Sequence, residues 1–295
     1  MKKMNRLHLL SYVLWLEFRR ILLGKKYIAE VDVTDNCNLR CKHCYHFHGK
    51  KTFVEKELPI QAWDKRFREL YSSGIRLILL VGGEPAIRND VLMLADNIFP
   101  FVSVITNGTI KIPGEFNNRL FVSMDGSRKT NDSIRGDGVF SKIIKNYTGD
   151  RRVVINMTLM KENYKELGEV IKIAKKHGFM GVVCNIYTPG IDFKGSMFLK
   201  SEDRRRIMSE VKRLKSVYPK DFLLSKAMIR WYENPDHSDY CYWGDEALHF
   251  DVSWNKRRCF AKADCSNCGC LAGSLQNPLK MLFYPREASR IALSD

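Results

Sequence analysis

Six short apolar runs alternate with amphipathic stretches through the middle of the chain. Tyr27–Thr34 is rich in β-branched residues and alternates in polarity, which reads as a strand. Further strands are expected at Arg76–Val81, Phe101–Thr106, Arg119–Met124, Arg152–Met160 and Gly181–Tyr187. Between them apolar residues recur at helical spacing. Pro59–Ser73 carries Trp63, Phe67 and Leu70 on one face and stops at Gly74. Val91–Ile98 and Val139–Asn146 follow the same pattern. Tyr164–His177 aligns Leu167, Val170, Ile171 and Ala174 before Gly178. Strands alternating with helices imply α/β architecture with a parallel sheet. Six such units fit a partial (β/α)6 TIM-like barrel better than a closed eightfold one.

The flanks break this rhythm. Residues 7–23 form an apolar helix too short to span a bilayer and interrupted by Glu17 and Arg19. Two readings of it remain: a structural helix packed across the barrel, or a helix at a membrane interface anchored by Trp15 and its basic neighbours. Residues 202–217 form a basic amphipathic helix, and 221–233 a second, with Phe222, Leu223, Met228 and Trp231. A cysteine-rich tail ends the chain as a small C-terminal extension. The expected organisation is an N-terminal helix over 1–26, a barrel core over 27–195, a basic helical segment over 196–235 and a cysteine-rich region over 236–295.

Strand ends matter because chemistry in such barrels sits at the C-terminal ends of strands. There stand a three-cysteine loop after the first strand, Gly82-Gly83-Glu84 after the second and Thr106-Asn107-Gly108 after the third. Ser123-Met124-Asp125-Gly126 follows the fourth strand and Thr188-Pro189-Gly190 the sixth. All of these turns face one rim.

The 295 residues include nine cysteines in two clusters, with Cys184 alone between them as a buried small hydrophobe. No cleavable secretory pattern precedes them, so metal or iron–sulfur ligation in a reducing cytosol is expected rather than a disulfide framework. Cys37, Cys41 and Cys44 have C-x3-C-x2-C spacing. Three thiolates on one short loop can hold three irons of a cubane cluster and leave the fourth open. Zinc sites usually close their tetrahedron with four protein ligands. The net charge of +16 is compatible with nucleic acid, an anionic membrane or an acidic substrate.

In this order, on successive strand ends, these motifs resemble the radical S-adenosylmethionine (radical SAM) superfamily from about residue 28 to 190. The resemblance implies a [4Fe–4S] cluster on Cys37, Cys41 and Cys44, with S-adenosylmethionine on its open iron. One electron passed into the sulfonium would leave a 5′-deoxyadenosyl radical that attacks an unactivated carbon. His43 matches an aromatic position whose backbone meets adenine. Gly82, Gly83 and Glu84 match the segment that binds the methionine amino group, with the glycines allowing close approach and the carboxylate accepting from the ammonium. Ser123 and Asp125 match positions near the ribose, and Arg135 one that pairs with the methionine carboxylate. Asn156 and Tyr187 match the fifth and sixth strands. Tyr45, His46 and His48 belong to the loop covering the cluster. An electron donor such as a flavodoxin or ferredoxin is implied.

The tail, with Cys241, Cys259, Cys265, Cys268 and Cys270, resembles the auxiliary-cluster extensions called SPASM or twitch, without the full seven-cysteine pattern. That implies a second [4Fe–4S] cluster on Cys241, Cys259, Cys265 and Cys268, with zinc as the lesser alternative and Cys270 as the odd thiol. The substrate is not legible. A lipid or isoprenoid at a membrane surface fits the apolar helix and the basic clusters. A peptide fits the fourth-strand motif and the tail. A non-catalytic iron–sulfur or zinc protein binding RNA would need a nucleic-acid motif, and none appears, so no nucleic-acid partner is expected. The expected location is the cytoplasm, or the inner face of the membrane if the helix binds it.

Overall fold

A computed structural model describes residues 6–48, 57–188, 199–259 and 265–274. Its centre is one sheet of eight strands in the order β6-β5-β4-β3-β2-β1-β7-β8. The expected six are β1 (Ile28–Thr34), β2 (Leu77–Gly82), β3 (Phe101–Thr106), β4 (Arg119–Ser123), β5 (Val153–Leu159) and β6 (Gly181–Ile186). They pair in parallel with their neighbours. Two more strands, β7 (Leu248–Phe250) and β8 (Lys256–Arg257), extend the sheet beyond β1; β7 is parallel to β1 and β8 antiparallel to β7. The sheet stays open between β6 and β8, as a partial barrel requires.

The outer face of the sheet packs on helices. Ala29, Val31 and Val33 of β1 and Ile78 and Leu80 of β2 meet Trp63 and Phe67 of the Ile60–Ser73 helix in the main core. The other face looks into the barrel. A smaller core there gathers Ile28, Leu79 and Val81 with Leu16, Tyr27, Tyr242 and Trp243.

The N-terminal helix, Arg6–Leu23, lies at the N-terminal ends of the strands, with Tyr12 beside Phe101 at the start of β3 and Leu16 packed with Tyr27 just before β1. Glu17, which the sequence pattern presents as an interruption, is its buried anchor. Its Oε1 accepts from Tyr27 Oη at 2.5 Å and Tyr242 Oη at 2.7 Å, and its Oε2 from Arg20 Nη2 at 3.0 Å. Burial pushes both tyrosine hydroxyls far above their ordinary range, so they remain donors. The structural reading of this helix therefore holds for its inner face. No helix among the described residues is long and apolar enough to cross a membrane.

The expected helix over 221–233 is shorter. It spans Lys226–Glu233, capped by Ser225, whose Oγ accepts from Met228 N at 3.2 Å. Residues 221–223 run beside β6 instead: Val182 N donates to Asp221 O and Leu223 N to Val182 O, each at 2.8 Å. An edge strand with unpaired N–H and C=O groups demands such cover, and that demand overrides the helical spacing of Phe222 and Leu223. Farther along β6, Ile186 N donates to Gly269 O at 2.9 Å. Arg204 lies in the basic helix Ser201–Val217, yet its guanidinium is buried and holds the tail, donating to Tyr232 O at 3.0 Å, Asn267 O at 3.3 Å and Cys268 O at 2.6 Å.

Candidate active site

The three-cysteine loop is aimed by the end of β1. The β1–β2 register shifts between Asp32 and Thr34, and the chain leaving Thr34 is stitched to the end of β2. Gly83 N donates to Thr34 O and Glu84 N to Asn36 O, both at 2.8 Å. This contact explains the glycine pair. A Cβ on Gly82 would stand 2.5 Å from Thr34 O, and one on Gly83 only 2.3 Å from Asn36 O. The close approach that needs glycine is to the chain entering the cysteine loop, so the pair positions the loop. The loop also docks on the Arg128–Arg135 helix, where Lys42 N donates to Ile134 O at 3.0 Å.

The three thiols stand close enough to influence one another, and each is partly exposed. Donors surround them: Leu39 N lies 3.4 Å and Asn107 Nδ2 3.9 Å from Cys37 Sγ, and Arg135 Nη1 lies 4.0 Å from Cys41 Sγ. Burial pushes the Cys37 thiol up to about 11, opposed by the Leu39 N–H. Burial also raises Cys41, with the Arg135 guanidinium working the other way. Such thiols keep their protons until a metal displaces them. Among the described residues no three Cys, His, Asp or Glu side chains converge as ligands of one ion would. A cubane places no such demand, since each thiolate takes a different iron.

Glu84 has a structural task at the rim. Its carboxylate is 1% exposed and already accepts three bonds. Ala86 N at 2.9 Å and Thr106 Oγ1 at 2.6 Å donate to Oε1, and Asn107 N at 2.7 Å to Oε2. Burial lifts this carboxyl above its ordinary value and the three donors restrain the rise. The side chain ties the end of β2 to the end of β3. Its effect passes on through Asn107, whose amide also donates to Asn38 Oδ1 at 2.9 Å inside the cysteine loop. Asn107 itself is a functional candidate that motif matching passed over, although its Thr-Asn-Gly turn lay on the expected rim.

Asp125, fully buried, is the second hub. Arg135 Nε lies 2.7 Å and His43 Nε2 3.3 Å from its Oδ2, while Thr158 N donates to Oδ1 at 2.8 Å. Within the chain its carboxylate faces Arg135, His43 and the β5 backbone. Burial works against the charge on Arg135, but Asp125 and Cys41 keep its pKa above the ordinary guanidinium value. Asn163, also missed, is buried and donates to Asp125 O at 3.0 Å and Thr158 O at 2.9 Å, bracing β4 to β5. Nothing in the spacing of its surface-like Lys-Glu-Asn-Tyr run gives that away.

Ser123 and Asn156 are register partners on β4 and β5. Asn156 Oδ1 accepts from Asn185 Nδ2 at 2.8 Å, and Asn185 Oδ1 accepts from Leu271 N of the tail at 2.7 Å. Tyr187 is buried in the main core. His46 is buried with Nε2 3.3 Å from Asp35 Oδ1. The side chains of Tyr45 and His48, and Pro189-Gly190 of the sixth turn, lie outside what is described.

The tail cysteines form a second group. Cys259 feels the charges of Cys270, Cys268 and Cys241, and Cys241 that of Cys265. Cys270, the odd thiol of the sequence reading, thus belongs to the same neighbourhood. Burial raises Cys259 well above its ordinary value and Cys268 to about 11.

The profile of the radical SAM superfamily matches residues 31–194. The Fe-coproporphyrin III synthase of Methanosarcina barkeri is 30% identical over 170 residues, 52% of this chain and 42% of its own. The sporulation killing factor maturation protein SkfB of Bacillus subtilis is 27% identical over 157 residues, 48% of this chain and 38% of its own. The chain thus spans well under half the length of these curated relatives. Among solved structures, Streptococcus suis SuiB bound to precursor peptide SuiA superposes with a TM-score of 0.65 at 14% identity, covering 96% of this chain and 70% of that one. With the family profile covering more than half of its residues, on a partial barrel with the cysteine loop at the end of β1, the chain belongs to the radical SAM superfamily, whose cofactors are a [4Fe–4S] cluster and S-adenosylmethionine.

Proposed function

We propose that this chain cleaves S-adenosylmethionine at a [4Fe–4S] cluster held by Cys37, Cys41 and Cys44, and that it modifies a peptide. The observation that carries the first part is the donor set around the three thiols. The Leu39 N–H, the Asn107 amide and the charged Arg135 all turn toward sulfur, which suits anionic sulfur ligands. When bound, the cluster supplies the electron that breaks a carbon–sulfur bond of the sulfonium.

The protein's own part is positioning. Arg135, held charged by Asp125, offers a cation to the cosubstrate carboxylate. The backbone of Gly82 and Gly83 borders the amino group, while the Glu84 carboxylate acts indirectly by fixing Thr106 and Asn107. The His43 backbone serves adenine, and Ser123 and Asn156 offer polar groups to the ribose. In this reading residues 27–195 are the catalytic core. Cys241, Cys259, Cys265 and Cys268, with Cys270 as a further candidate, form an auxiliary centre in the 236–295 extension.

The peptide substrate is supported by the kinship with SkfB, a maturation protein by name. The placement of the apolar N-terminal helix also favours it over a lipid. Leu16 packs with Tyr27 at the start of β1, and Tyr12 lies with its ring 6.1 Å from Phe101 at the start of β3. That is the end of the barrel opposite the cysteine loop, so a lipid held by this helix would be a barrel's length from the rim.

Anaerobic reconstitution followed by assay for 5′-deoxyadenosine tests the first part. Replacing Cys37, Cys41 and Cys44 with alanine should abolish it, and retention at the wild-type rate would overturn the assignment. Wild-type turnover should rise with a cytosolic peptide fraction and not with a lipid extract; the reverse would reinstate the lipid. Two cubanes predict about eight irons per chain. About four irons and one zinc would replace the auxiliary cluster with a structural zinc.

A further inference from the structure

The N-terminal helix has two mismatched faces. Leu16 and Glu17 are buried against the barrel floor. Leu14, Trp15, Phe18, Ile21 and Leu22 recur at helical spacing on the other side, with Phe18 59% and Leu22 62% exposed. Of the ten large apolar side chains exposed among the described residues, six lie on this one helix. They therefore form a patch rather than the usual scatter of single residues. Trp15 is held in place from the protein side: Tyr12 stacks on it at 5.8 Å, and the Arg19 guanidinium carbon sits 4.8 Å over its ring.

The helix and its sequence flanks carry almost only positive charge. Residues 1–26 contain Lys2, Lys3, Arg6, Arg19, Arg20, Lys25 and Lys26 against Glu17 alone. Glu17 is buried and spent on Tyr27, Tyr242 and Arg20. Arg20 is paired with Glu17 and Glu246, and Lys26 donates to Asp245 O at 2.5 Å. That leaves Arg19, inside the span of the patch, and Lys25, three residues past Leu22.

We propose that this face seats on an anionic lipid bilayer, with the helix lying in the plane of the interface and Trp15 at headgroup depth. An apolar face carrying an indole and bordered by Lys and Arg is the pattern of an interfacial helix. Positive groups near an anionic surface add electrostatic attraction to the apolar term. A second copy is the poorer occupant. A twofold pairing of this patch would bring Arg19 and Lys25 near their own copies, like charge against like. Since the helix lies at the N-terminal ends of the strands, a seated molecule turns its cysteine rim away from the bilayer, toward the aqueous phase. The helix therefore docks the molecule and does not feed it substrate. This inference does not depend on the proposed reaction.

The test is co-sedimentation of the full chain with vesicles of phosphatidylcholine containing about one third phosphatidylglycerol. Wild type should pellet with them, and its partition should fall about tenfold or more with pure phosphatidylcholine or at about 0.5 M salt. The double variant Phe18→Asp, Leu22→Asp should lose about tenfold or more while keeping the wild-type unfolding midpoint. Lys25→Glu, which alters no packed side chain, should weaken binding severalfold, so the idea stays testable if the double variant fails to fold. Wild type left in the supernatant would overturn it, as would a folded double variant that pellets like wild type. A lipid-free dimer abolished by the same double variant would assign the face to a second copy instead.

Discussion

Glu84→Gln separates a carboxylate that builds the rim from one that binds the cosubstrate. Three donors converge on it: Ala86 N, Thr106 Oγ1 and Asn107 N. Glutamine has one oxygen. Left at the Oε1 position, it still accepts from Ala86 and Thr106, but its amide nitrogen then faces the Asn107 N–H, donor against donor. One hydrogen bond to a charged acceptor is lost, worth about 1.5–3 kcal/mol, and a buried N–H is left unpaired. Removing a buried negative charge relieves part of the desolvation cost that raises this carboxyl's pKa. The net cost should be about 2 kcal/mol, or about 3 °C in Tm at this chain size. The assay is thermal and urea unfolding of the protein without cluster or cosubstrate, where a purely ligand-binding carboxylate has nothing to lose. An unchanged midpoint there, together with weakened cosubstrate affinity, would refute the reasoning and return Glu84 to the ammonium.

Gly83→Ala should cut reconstituted iron content severalfold while far-UV circular dichroism stays near wild type, since its Cβ would meet Asn36 O at 2.3 Å and push the cysteine loop aside; normal iron loading would show that the loop has slack. Glu17→Gln should cost about 2–3 kcal/mol by urea titration, because the two tyrosines keep an acceptor but the mostly buried Arg20 loses its charge partner on the helix; deletion of residues 1–24 should destabilise the chain further rather than merely release it, and a deletion variant with wild-type stability would contradict the anchor. Burial opposes the charge on Asp150, but its bonds from Arg152 hold its carboxyl below the ordinary value. A depressed carboxyl stabilises above its unfolded pKa, and the gain is lost as pH falls through the folded one, so Asp150→Asn should cost about 1–2 kcal/mol at pH 7 and much less near about pH 3; an equal cost at both would exclude the linkage.

The six parallel strands were legible because strands buried on both faces are written as dense β-branched and aliphatic runs, such as Ile-Leu-Leu-Val in β2. β7 and β8 were not: three and two residues long, with His249, Lys256 and Arg257 among them, they carry no periodicity to detect. They form because β1 has an edge to cover and because Arg257 reaches Asp32 with two bonds of 2.7 Å. The rim motifs located turns that the structure brings together, but not the partners of their side chains. Glu84 and Asp125 look like ligand groups in sequence, and whether a carboxylate faces a ligand or its own backbone depends on partners 22 and 33 residues away. Glu17 is the extreme case, since one of its two tyrosines lies 225 residues downstream.

Arg204 grips the tail through three carbonyl oxygens, those of Tyr232, Asn267 and Cys268. A carbonyl is the same whichever residue bears it. The side chains at these positions can therefore be exchanged over evolutionary time without loosening the joint, so long as the path of the backbone is kept. The arginine can tolerate no such exchange, because no other side chain offers a planar fork of donors. A lineage could thus gain, lose or respace cysteines in the extension while its attachment to the barrel endured. Arg204→Lys should undo that inheritance in a single step.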